Sequence, residues 1–266
     1  MSDSTLTPVR NTIVYGALRL VGAYASGNSP NPQQVEDAST ALQMFIKSLQ
    51  IKGLLHTKRF VTLFLEDGKY KYRIPSHATD LTYGAETYYT TAMATAGVAT
   101  DTSIVVDSTS DITALDVVAI TLDDNSVHWT TVSSVTDTTT FVVDDALPSA
   151  AAVDNVVYNY RASGGLVRPR EIESPTRVDT SGYEVPINMI GREEYSFQVN
   201  KTTESTPVQV YYDRQKDTGY LYVWPTPNDD RLKLKMTFEQ PLLFPEDPTD
   251  EMDFPDEYSE LLKYGT

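Results

Sequence analysis

The chain has 266 residues, 40% of them apolar and 22% charged, with a formal charge of -16 and no cysteine. That composition suits a globular protein long enough to bury a sizeable core, as one large domain or one domain with a smaller insert. It excludes disulfides and thiolate-ligated metal centres, and it disfavours a phosphate-gripping surface, because affinity for nucleic acid comes largely from Lys and Arg.

The N-terminus lacks the basic and apolar stretches of a signal peptide, and no apolar run reaches the roughly 18 residues that a membrane helix needs. A protein made in the cytosol and remaining in solution is expected. Thr7 followed by Pro8 reads as a helix cap with proline in the first turn. Apolar residues then recur at Val9, Ile13, Ala17 and Leu20, widened by Val14, Leu18 and Val21, and Gly27 would end the helix. Asn31 and Pro32 repeat the start signal. The stripe Val35, Ala38, Leu42, Phe45, Ile46 and Leu49 predicts a second helix closed by Gly53, antiparallel to the first.

From Phe60 the period becomes two. The stretch Phe60 to Leu65, the turn Glu66-Asp67-Gly68-Lys69 and the return from Tyr70 to Ile74 predict a β-hairpin. Between Tyr88 and Tyr160 there are ten Asp residues and no Glu, Lys or Arg. Strands are expected there at 102–106, 117–122, 127–135, 140–143 and 155–160, with a tight turn at Asp123-Asp124-Asn125-Ser126. Further strands are expected at 208–212, 220–224 and 231–238, and a last helix from Pro255 with Tyr258, Leu261 and Leu262 on its apolar face.

The expected class is α+β. An N-terminal antiparallel helical hairpin (1–58) and a C-terminal arm and helix (241–266) form a small bundle. An antiparallel β domain (59–87 and 163–240) carries an inserted all-β module (88–162), a small sandwich or barrel.

Motifs for chemistry are sparse. His56, His77 and His128 are too far apart in sequence for a helical metal pair, and no zinc-protease pattern occurs. Glu193-Glu194, Glu171 with Glu173, and Asp123-Asp124 are the available carboxylate pairs. Adjacent residues on a strand face opposite ways, which leaves only Glu171 and Glu173 on one face. Asp123-Asp124-Asn125 lacks the glycine and distal glutamate of a calcium loop, and Gly164-Gly165 lacks the rest of a phosphate-binding fingerprint. No catalytic, cofactor or metal residue is assigned. Many of the 17 tyrosines fall in the β regions, where they suit cross-strand packing and also subunit interfaces.

Three segments carry a family resemblance. They are Asn11 to Gly22 with Ala38 to Phe45; Thr206 to Asp213 with Gly219 to Pro227, including Trp224-Pro225-x-Pro227; and Phe238 to Leu242 with Phe254-Pro255 to Gly265. Together they resemble the head-to-tail adaptor proteins of short-tailed double-stranded DNA bacteriophages, over residues 9–87 and 163–266. The resemblance implies a ring of twelve copies beneath the portal protein. Such a ring extends the DNA channel, helps retain packaged DNA and carries the tail nozzle or tailspikes, with no cofactor and no turnover. It implies a ring wall built from the helices and a β domain facing the tail. The expected location is the neck of the virion.

Interface candidates are Tyr258, Leu261 and Leu262 on the last helix, Tyr211, Tyr222 and Trp224 on the tyrosine-rich strands, and Trp129 in the insert. Relatives continue beyond the last helix, whereas the sequence here stops at Thr266. The insert departs from the family pattern and is expected to project outward. Two other readings stay open: a virion-associated peptidoglycan hydrolase using Glu171 or Glu193, and a carbohydrate-binding β module with Trp129 as sugar platform.

Overall fold

A computed structural model describes residues 9–24, 27–52, 56–75, 81–161, 166–241, 244, 247, 249 and 258–265. The chain divides into two compact units, Met1–Thr57 with Gln240–Thr266, and Lys58–Glu239.

In the first unit, helix α1 (Arg10–Leu20) begins after Val9, which has an extended backbone and no side-chain cap. The expected cap Thr7-Pro8 lies outside the described residues. The helix ends a turn before Gly27, because Gly22 takes the left-handed conformation at φ 73°. Gly22 N–H then donates to Arg19 C=O, and Ala23 N–H to Leu18 C=O, which satisfies the last carbonyls. Helix α2 (Pro32–Ile51) starts in a capping box. Asn31 Oδ1 accepts from Gln33 N–H at 3.1 Å and Gln34 Oε1 accepts from Asn31 N–H at 3.2 Å. Gly53 and Pro255 lie outside the described residues. Ile13, Val14, Leu42, Ile46 and Leu49 form one apolar cluster with Leu262 of the last helix, α4 (Ser259–Gly265). Gly16 lets α1 and α4 approach closely: a Cβ there would meet Lys263 Cε at 3.0 Å.

The second unit opens with strands β1 (His56–Phe64; its first two residues precede the unit boundary) and β2 (Lys71–Ile74). They do not pair as a hairpin. Strand β1 belongs to a five-stranded sheet ordered β11-β10-β15-β1-β3, and β2 to a four-stranded sheet ordered β12-β13-β14-β2. The other members of the first sheet are β3 (Gly84–Ala85), β10 (Glu171–Val178), β11 (Glu184–Pro186) and β15 (Lys233–Pro241); those of the second are β12 (Asn188–Met189), β13 (Gln209–Arg214) and β14 (Gly219–Trp224). The Asp-Gly turn crosses from one sheet to the other because its partners are distant in sequence. Gly68 N–H donates to Pro227 C=O, Asp67 N–H to Asp230 Oδ1, and Leu65 N–H to Leu232 C=O. Between the sheets lies the core of Val61, Leu63, Tyr72, Ile74, Val210, Leu221, Val223, Leu234, Met236 and Phe238, each contributed by the inward set of an alternating strand.

The third sheet comprises β4 (Tyr89–Ala92), β5 (Ser103–Val105), β6 (Asp116–Thr121), β7 (Val127–Val135), β8 (Thr140–Val143) and β9 (Val156–Arg161), in the order β4-β9-β6-β7-β8-β5. An antiparallel bridge between Met93 and Val106 ties its two ends together. Its interior holds Met93, Ile104, Val118, Ile120, Phe141 and Val157. Closure of this kind removes the exposed strand edges that a small sheet would otherwise present.

The expected α+β class is overturned. The chain is mostly β, 38% strand against 19% helix, with four helices and three sheets, one of them a half-barrel, among the described residues. The helical start is shorter than its apolar stripe suggests, and several strands have no period-2 signature. Strand β10 contains Pro175, which sits at a bulge where the pairing with β15 shifts between Glu173 and Thr176 and where Ser174 has φ 49°. Nor is the sandwich wholly antiparallel, since β12 runs parallel to β13.

Candidate interaction surfaces

On β6, β7 and β9 the outward residues are Val117, Trp129, Tyr158 and Tyr160. They pack on Phe64, Tyr83 and Ala85 of the sandwich. Trp129 stacks on Tyr83 with ring centroids 4.1 Å apart and planes 2° from parallel, and meets Phe64 edge-on at 5.0 Å. Lys233 of β15 donates to Tyr158 Oη at 2.9 Å and lies 4.2 Å from that ring. Arg231 is held by both oxygens of Asp229 and reaches Asn125 Oδ1 in the β6–β7 turn at 2.7 Å. Ionic and hydrogen bonds to Arg231 hold the Asp229 carboxyl below its ordinary value. The barrel therefore lies side-on against the sandwich instead of projecting from it. One face of the Trp129 indole is covered by Tyr83.

A cleft of about 570 Å³ runs beside this joint, lined by Asp123, Asn125, Asp154, Asp179, Arg231 and Lys233 among others. Both its cations are already engaged, Arg231 by Asp229 and Asn125 and Lys233 by Tyr158.

The outer face of the four-stranded sheet is aromatic. Across β13, β14 and β2 the register aligns Gln209 with Trp224, Tyr211 with Tyr222 and Lys71, and Asp213 with Tyr220 and Arg73. The short helix α3 (Arg192–Ser196) lays Tyr195 on this face, 5.4 Å from Tyr211 and 5.1 Å from Tyr222. Burial, helped by neighbouring Tyr70 and Tyr222, pushes the Tyr195 hydroxyl up to about 12. Trp224 donates its indole N–H to Asn200 C=O at 2.9 Å. Tyr211 is 9% exposed, while Tyr222 and Trp224 remain half-buried. Of the three, Tyr211 is therefore spent on packing.

On α4, Leu262 is fully buried in the helical core and unavailable for contact, and Tyr258 packs against that core. Leu261 is exposed, as are Tyr264 beside it and Met44 and Ile51 on α2. Sequence periodicity missed Tyr264 because it lies off the apolar row.

The carboxylate pairs do not converge on a reaction centre. Glu173 is paired with Lys58 at 2.7 Å. Asp124 accepts from Ser126 N–H and Oγ–H, which lowers its carboxyl below the ordinary value, and Asp123 Oδ1 accepts from Ala152 N–H and Asn155. The Asp124 contacts close the β6–β7 turn, and those of Asp123 tie that turn to the segment before β9. His128 Nε2 lies 3.1 Å from Asp145 C=O. His77 and the His56 side chain lie outside the described residues. Among the described residues no group of three or more His, Asp or Glu is placed to hold a metal ion, and no helix is long and apolar enough to cross a membrane.

Comparison with protein-family models, with curated proteins and with solved structures gives no match.

Proposed function

We propose that the protein is a structural virion component: the head-to-tail adaptor of a short-tailed double-stranded DNA bacteriophage, and not an enzyme. In this reading copies form a ring, of twelve by the resemblance, beneath the portal protein. The ring extends the DNA channel, helps retain the genome and presents a platform for the tail nozzle or tailspikes. The observation that supports it most is the meeting of resembling segments far apart in the chain. Residues from 11–22, 38–45 and 258–265 share one apolar cluster through Ile13, Val14, Leu42 and Leu262. The segments around Tyr211 and Trp224 likewise form one antiparallel pair. The charge fits as well. A wall along which DNA slides without sticking should be acidic, and the chain carries a formal charge of -16.

The experiment is to mix purified protein with purified portal rings and image the product by electron microscopy. A layer of adaptor density below the portal is expected. Absence of binding by pull-down and by imaging overturns the proposal.

A further inference from the structure

We propose that the barrel carries a saccharide subsite at its β4 edge, where two adjacent sugar hydroxyls enter a small polar pocket and the sugar ring rests against Tyr89. The inference goes beyond the adaptor reading and does not depend on it.

Strand β4 is the outermost member of the third sheet and pairs with β9, Tyr89 opposite Asn159 and Thr91 opposite Val157. Directly paired residues share a face, and successive residues alternate, so Tyr89 and Asn159 lie on the opposite side of the sheet from Trp129 and Tyr158. On that side Val118 and Val157, next to Asn159, are fully buried in the barrel core. An amide thus interrupts an apolar wall. Asn159 is 2% exposed. Its Nδ2 donates to Asp111 C=O, and its Oδ1 has no hydrogen-bond partner among the described residues. Asp111 belongs to the segment that leaves the Met93–Val106 bridge and runs back beside β4. That segment is pinned. Asp107 N–H donates to Ala92 C=O at 3.0 Å, Thr109 N–H to Thr138 C=O at 2.9 Å and Thr109 Oγ1 to Asp137 C=O at 2.7 Å.

Between strand and segment lies a cavity of about 60 Å³, lined by Tyr89, Thr91, Ser108, Ser110, Asp111 and Asn159 among others. It has room for about two water-sized groups, at roughly 30 Å³ each. The lining selects what those groups are. No Lys or Arg lines the cavity, so a phosphate, sulfate or carboxylate finds no counter-charge there. An apolar occupant would leave Asn159 Oδ1 buried and unpaired. The remaining groups both accept and donate. Asp111 Oδ2 accepts from Ser110 Oγ–H at 3.1 Å, which leaves Oδ1 open. Ser108 Oγ accepts from Ser110 N–H at 3.2 Å, which leaves its own O–H to donate. Two hydroxyls on adjacent carbons can use both kinds of group, whereas an ammonium only donates. At the rim, Tyr89 is 44% exposed. An aromatic ring beside hydroxyl-binding groups matches a sugar, whose C–H face is apolar and whose edge is polar. Because Asn159 and the segment are already fixed, little ordering remains to be done on binding.

The test is an NMR titration of isotope-labelled full-length protein with the methyl glycosides of glucose, galactose, mannose and N-acetylglucosamine and, separately, with methylammonium chloride and inorganic phosphate. At least one glycoside should move the amide signals of Tyr89, Asp111 and Asn159 saturably. Its deoxy analogue, lacking one of the two adjacent hydroxyls, should bind roughly tenfold or more weakly. Tyr89→Ala, at an exposed edge position, should weaken binding to a similar degree, while Tyr89→Phe keeps it, because the ring and not its hydroxyl makes the contact. Asn159→Ala, confirmed as folded by circular dichroism, should abolish it. The proposal is overturned if no glycoside moves these signals, if only methylammonium or phosphate does, or if binding is unchanged in Tyr89→Ala. Each of those results leaves the adaptor reading standing. Failure of the protein to assemble on portal rings removes the adaptor reading, and glycoside binding lost in Tyr89→Ala would still support the subsite.

Discussion

Trp129→Ala is the most direct probe of how the barrel is fastened. The indole sits on the barrel exterior, 4.1 Å from the Tyr83 ring and 5.0 Å from Phe64, and takes no part in the barrel's own core. Removing a fully buried Trp side chain costs about 3–5 kcal/mol. Trp129 is half-buried, which brings the transfer and cavity loss to about 2 kcal/mol, and losing the Tyr83 stack adds about 0.5–1 kcal/mol. A loss of about 2–3 kcal/mol is therefore expected in urea unfolding. Hydrogen exchange should quicken around Phe64, Tyr83 and Ala85 and stay slow at Ile120, Phe141 and Val157 inside the barrel. Only one other Trp, Trp224, is present. A Trp224→Phe background therefore makes Trp129 fluorescence a report on the joint, and its emission should shift toward that of free tryptophan before the barrel unfolds. A variant whose stability stays within about 0.5 kcal/mol of the parent, a change typical of ordinary surface positions, refutes the reasoning. So does native Trp129 emission already matching the free amino acid.

Leu262→Ala, at a fully buried position in the helical core, should cost that unit about 2–5 kcal/mol, measured by loss of helical circular dichroism on heating. Asn31→Ala removes the capping-box acceptor of α2 and should cost about 1 kcal/mol in the same assay. Gly219→Ala should destabilise the sandwich by about 1–3 kcal/mol in urea unfolding, because a Cβ at Gly219 runs into the Tyr212 ring. Burial raises the Tyr195 and Tyr212 hydroxyls from 10.0 to about 12. Their contribution is complete below the unfolded value of 10.0 and is lost as pH rises through about 12. Stability should thus fall across that window, and a titration of tyrosine absorbance should show a class of groups ionising together with unfolding. Asp229 has the opposite sign. Its lowered carboxyl contributes above the unfolded value of 3.8 and loses that contribution as pH falls through the folded value. Asp229→Asn should therefore flatten the acid limb of the stability profile.

Local structure was largely legible along the chain. Asn31-Pro32 with the 3.6-residue stripe behind it marks α2, since cap and periodicity are properties of neighbouring residues. The Asp-rich turns between Val, Ile and Thr runs mark β6 and β7, and the strand expected at 127–135 forms over Val127–Val135. The absence of Lys and Arg between Tyr88 and Tyr160 is likewise plain in the text of the chain. Partnership was decided only in three dimensions. Alternation tells which face of a strand is apolar, but backbone hydrogen bonds carry no side-chain label, so it does not tell which strand lies alongside. Hence β1 and β2, joined by a hairpin-like Asp-Gly turn, enter different sheets. The same holds for the candidate contacts. Leu262 and Trp129 bear the right chemistry for an interface, yet one is consumed by the helical core and the other by the barrel joint. Phe197 and Val199, in no recognisable pattern, are left facing water. A side chain's type sets what it can bind; whether it is free to do so depends on which distant segment has already covered it.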